Sequence, residues 1–87
     1  MPDVRDHNPV NNEAILDVRT IEPQRRHDTV RRLIDRLPED SSLQLISDHS
    51  PQPIRGYFEM VHGDQAQWHD LEQGPTVWRV RLTRTAL

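Results

Sequence analysis

The sequence predicts an α/β protein, an α+β two-layer sandwich of order βαβαββ: a mixed four-stranded sheet with two helices on one face. Three observations predict it. An apolar run at 43–47, with Leu43, Leu45 and Ile46, stops at Asp48-His49 before Ser50, Pro51 and Pro53, as a strand does ahead of a helix. Two apolar stripes recur at helical spacing: His27, Val30, Leu33, Ile34 and Leu37, then Ile54, Tyr57, Phe58 and Val61. Near the end Trp78, Val80 and Leu82 alternate with Arg79 and Arg81, the period of a sheet covered on one side.

Residues 1–12 are polar and carry Pro2, Pro9, Asn11 and Asn12, so they are expected to be a disordered lead to a single domain over 13–87. The short apolar run 13–18 makes a first strand, ending at Asp17, Arg19 and Thr20. Pro23 suits the first turn of a helix, where a missing N–H costs nothing, and helix one is expected over 24–37. Residues 38–42 read as a turn and 43–47 as the second strand, which completes a right-handed parallel unit. Ser50 is a candidate N-cap for helix two. Gly56 within it is tolerable if the backbone packs closely there, and His62, Gly63 and Asp64 mark the stop. Strands at 66–72 and 76–83 are joined across Gln73, Gly74 and Pro75.

Composition narrows the function. With 33% hydrophobic residues and no cysteine, the core is small and neither a disulfide nor a thiolate metal site can support it. The net charge of −3 argues against a general nucleic-acid binder. All 11 basic residues are arginine, which excludes Schiff-base and P-loop chemistry. Neither a membrane span nor a signal peptide is recognisable, and a cytoplasmic location is expected.

From Leu16 and Asp17 through Leu37 and Pro38 to Ile46, Ser47 and Asp48, the spacing resembles the small sulfur carriers of the TusA/SirA type. That resemblance implies a TusA/SirA-like sandwich. Their persulfide rides on a Cys-Pro pair opening the first helix; Ile21, Glu22 and Pro23 keep the proline without the thiol, so this chain is no persulfide carrier. A further set of motifs comprises Leu16 to Arg19, Arg26-His27, Asp48-His49 with Pro51 and Pro53, Trp68, and the stretch from Glu72 to Val80. Together these resemble the bacterial family called domain of unknown function 2249, over about 15–84. Ser50 stands where that family usually has Asp. The resemblance implies an association with hemerythrin-like iron domain proteins and nitrogen-oxide metabolism, and no established activity.

In a parallel strand-helix-strand unit, both strand ends and the helix start share a rim. Asp17, Arg19, Arg26, His27, Asp48 and His49 are therefore the candidate ligand-binding residues. His27 is expected to lean toward the sheet and His49, with the rings within roughly 10 Å, from the helical rise and the strand spacing. His27 and His49 are candidate ligands of a transition metal or haem, with a carboxylate as ligand or support. The plainer readings are hydrogen-bonded structural histidines, and Asp17 with Arg19 or Arg26 as an ion pair and cap. Trp68 and Trp78 read as packing, and Arg79, Arg81 and Arg84 as a solvated face paired with acids such as Asp70 or Glu72. His62 and His69 have no partner suggested by spacing.

The expected function is a non-catalytic cytoplasmic binding or carrier-like module working through this rim. The alternatives are a metal- or haem-binding accessory protein, an enzyme with His49 as general base, and an interaction domain using the open sheet face. No nucleic acid or membrane is expected as partner; a hemerythrin-like protein and a weak homodimer through the sheet are.

Overall fold

A computed structural model describes residues 13–86; the expected lead lies outside them. The elements are β1 (Glu13–Asp17), α1 (Pro23–Asp35), β2 (Ser41–Ser47), α2 (Gln52–His62), β3 (Ala66–Gln73) and β4 (Trp78–Arg84). They follow the expected order. The four strands form one mixed sheet in the order β1-β2-β4-β3, with β1 parallel to β2 and the other pairs antiparallel.

The core lies between the sheet and the helices. Leu43, Leu45, Val80 and Leu82 meet Val30 and Ile34 of α1 and Ile54 and Phe58 of α2 in one buried cluster. Leu43 opposes Leu82 and Leu45 opposes Val80 across β2 and β4, so the two central strands present one continuous apolar patch to the helices. Leu33, expected on the apolar stripe, lies at its margin and is exposed. Leu37 is buried just beyond α1, in the turn that ends it.

The boundaries moved for specific reasons. Ser41 and Ser42, expected in a turn, belong to β2: they pair with Arg84 and Thr83, and the Ser42 and Thr83 hydroxyls are 2.9 Å apart. β4 begins at Trp78 and not at Thr76, because the Gly74 N–H donates to Val77 C=O and closes the turn there. A short 3-10 turn at Val18–Thr20, unexpected from the sequence, turns the chain out of β1 and buries Val18.

On the sheet face away from the helices Arg79 and Arg81 lie against polar partners, as the plainer reading expected; Arg84, expected with them, instead donates to Leu37 C=O at 2.8 Å and to Gln65 Oε1 at 3.1 Å. Arg79 bridges Glu72 at 3.2 Å and Gln44 at 3.0 Å. Arg81 pairs with Glu13 at 2.6 Å, not with Asp70. Gln44 and Ser42 are buried beneath this layer, so the long side chains cover much of the face themselves.

His62, given no partner by spacing, has one: its Nε2 lies 2.7 Å from Ile34 C=O near the end of α1, and its ring meets Phe58 edge-on. A carbonyl can only accept, so Nε2 carries the proton. The condition considered for Gly56, a close-packed backbone, is not met: a Cβ there would meet nothing within 4 Å. Gly56→Ala is therefore expected to stabilise the domain by up to about 1 kcal/mol through helix propensity alone. Urea denaturation checks this; a loss of stability would place a close neighbour at Gly56.

Candidate functional site

The carboxyl end of β2, the start of α1 and the start of α2 enclose a groove of about 200 Å3. Its wall is apolar, formed by Val18, Val30, Leu45 and Ile54, which the two stripes and the β2 run carry here. Pro23, Pro51 and Pro53 also border it. Each helix has a proline in its opening positions, where the first N–H groups have no intrahelical acceptor, so these rings cost no helical hydrogen bond. The polar lining is Arg26, His27, Ser47, His49 and Ser50.

The six expected site residues divide into two groups. Arg26, His27 and His49 border the groove, while Asp48 stands behind them. Asp17 and Arg19 engage each other instead. Arg19 donates through Nε and Nη2 to the two Asp17 oxygens at 2.8 and 2.7 Å, and its backbone N–H donates to Oδ1 at 3.0 Å. Asp17 thus caps the 3-10 turn, the plain role considered for it. His27 departs from expectation in one respect: it borders the groove but is exposed.

Asp48 and His49 form the tightest polar contact at the groove. Asp48 Oδ1 lies 2.6 Å from His49 Nδ1 and 3.4 Å from Arg26 Nη1. An ionised carboxylate only accepts, so Nδ1 bears the proton, and in the neutral ring Nε2 is left with its lone pair. This contact is the main reason the Asp48 carboxyl titrates below its usual 3.8; Arg19 does the same for Asp17. Arg26 is anchored separately, by Nε donating to Ile21 C=O at 2.9 Å.

Both serines are turned to the backbone. Ser47 Oγ accepts from His49 N–H at 3.1 Å, and Ser50 Oγ accepts from Gln52 N–H at 3.4 Å; Ser50 is not the N-cap expected of it, because α2 begins at Gln52 and Pro51 takes that position. Neither hydroxyl is hydrogen-bonded to the His49 ring, which therefore has no activated nucleophile beside it among the described residues.

Depressed carboxyl values make folding sensitive to acid. The contributions of Asp17 and Asp48 are complete above the ordinary carboxyl value and fade as pH falls through their lowered folded values. Stability should fall with acid below about pH 3.9. Asp17→Asn with Asp48→Asn should flatten that part of the profile. An unchanged slope in urea melts would show that neither pair exists in solution.

Among the described residues no three His, Asp or Glu side chains gather as a metal-binding group. His27 and His49 could supply two imidazoles to one ion, the rest of its coordination coming from solvent or a partner. A second hollow, of about 450 Å3, lies at the opposite end of β2, between Leu33, Leu37, Pro38 and Leu43. It contains none of the six candidates.

The family model described as uncharacterized conserved protein (DUF2249) matches residues 15–84. The chain belongs to that family. No curated protein and no solved structure matches. The match takes in every element of the DUF2249 domain except the start of β1, and so the whole groove. Reading the sequence for charged and titratable residues missed the apolar half of this site, Val18, Val30, Leu45 and Ile54. Their signal was present as periodicity, which also marks ordinary core.

Proposed function

We propose that this DUF2249 domain is a non-catalytic cytoplasmic module that binds a small molecule in the groove over the carboxyl end of β2. One observation carries the reading: an apolar-walled recess bordered by Arg26, His27 and His49, with Asp48 fixing the His49 ring. Binding sites combine an apolar wall with a few convergent polar groups in this way. The recess is below the roughly 300–1,000 Å3 of drug-sized sites, so the ligand is small, or only part of it enters. No helix among the described residues is long and apolar enough to cross a membrane. A panel of small neutral and charged fragments, screened by methyl NMR, tests the reading. Hits should cluster on Val18, Val30 and Ile54; hits scattered over the surface, or none, would end it.

A metal- or haem-binding accessory role is the second reading. It is favoured by the Nδ1–H to Asp48 bond, since a ligating histidine commonly donates its other nitrogen to a carboxylate. On this reading His27 and His49 hold the metal, haem stays largely outside the small recess, and a hemerythrin-like protein is the partner. Zinc or ferrous iron should then bind stoichiometrically and be lost in both His27→Ala and His49→Ala; binding retained in both would remove it.

A further inference from the structure

We infer that the groove takes a small organic anion, a monocarboxylate whose apolar body is about the size of one aromatic ring. This rests on the groove reading above and adds the chemical class of its ligand.

Size comes first. An apolar cavity of about 150 Å3 accepts benzene. The groove is of similar scale, at about 200 Å3, with Val18, Val30, Leu45 and Ile54 as its wall.

Charge decides the head group. Among the described residues no Asp or Glu lines the groove, whereas Arg26 does. Arg26 is largely withdrawn from water, its side chain 20% exposed, and its one carboxylate neighbour stands off at 3.4 Å. Charge-assisted N–H···O bonds are normally about 2.7–2.9 Å. The shorter contact of the same Oδ1 is with His49 Nδ1, at 2.6 Å. Arg26 is thus a half-buried cation with an incompletely satisfied charge, and its Nη2 has no hydrogen-bond partner among the described residues.

The remaining polar lining also suits an acceptor. The Ser47 and Ser50 oxygens are occupied as acceptors, yet each hydroxyl still has its proton to donate. A ligand carboxylate would receive Arg26 and these hydroxyls while its body displaced water from the apolar wall. A cationic head group would meet the like charge of Arg26, and the nearest carboxylate, Asp48, is already engaged by His49 and Arg26.

The test is a methyl NMR titration of the full chain with benzoate, benzyl alcohol and benzylamine. Benzoate should saturably shift the Val18, Val30 and Ile54 methyls and bind at least ~10-fold more tightly than benzyl alcohol, with benzylamine weakest. Arg26→Gln should abolish the preference for benzoate. Asp48→Asn should strengthen benzoate binding by removing the carboxylate that competes for Arg26, which guards against a folding defect in Arg26→Gln. Equal binding of benzoate and benzyl alcohol overturns the anion inference while leaving the groove reading standing. If none of the three shifts those methyls, the inference fails on size and charge together, and the broader fragment panel decides the groove reading separately.

Discussion

Phe58→Ala is expected to cost about 3–5 kcal/mol, the range for removing a buried aromatic ring from a close-packed core. Phe58 is fully buried at the meeting of α2 with the sheet, and its ring also supports His62, which ties α2 to the end of α1 through Ile34 C=O. Removing it leaves a cavity and loosens that tie. Small domains are stable by only about 5–15 kcal/mol in total, so much of the population should unfold at moderate temperature. Urea denaturation of the variant measures this. A cost below about 1 kcal/mol, far under the range for truncating a buried aromatic side chain to alanine, would mean that Phe58 is not at the centre of the core.

Gly74→Ala should be destabilising by roughly 1–3 kcal/mol, the cost of holding a side chain at an unfavourable positive φ. Gly74 has φ +56°, and a Cβ there would come within 2.6 Å of Trp78 Cζ2 and 2.7 Å of Cε2. The indole would have to leave its place against the turn, disturbing the first pair of the β3–β4 ladder, Gln73 with Trp78. The identical substitution at Gly56 should act in the opposite direction, since that position is open and lies within a helix. Comparing the two by thermal melting isolates the effect of backbone conformation. The same sign for both would contradict the turn geometry at Gly74.

The fold was legible because its elements carry unmixed periods. Val80 and Leu82 against Arg79 and Arg81 can only be a one-sided strand, and Ile54 with Phe58 lies along one helix face. The location of the site was legible for a related reason: the apolar run of β2 stops at Asp48-His49, and prolines follow at once. The partners of the charged side chains were not. Asp17 could have reached Arg19 or Arg26, and it took the fork two residues away; Asp48 then fell to its neighbour His49, with Arg26 at longer range. Such choices depend on side-chain rotamers and differ little in energy, so residue types leave them open. The tie between His62 and Ile34 spans 28 residues and exists only once both helices have docked on the sheet.

The central claim is that ligands enter the groove over β2, and blocking the groove tests it most directly. Ser50 is exposed, borders the groove, and among the described residues makes only one long hydrogen bond through its side chain, so Ser50→Trp should fill the entrance without unfolding the domain. With unchanged thermal stability, fragments that bind the natural sequence should lose at least ~10-fold in affinity, about 1.4 kcal/mol. Undiminished binding to a stably folded Ser50→Trp domain would show that the ligand sits elsewhere.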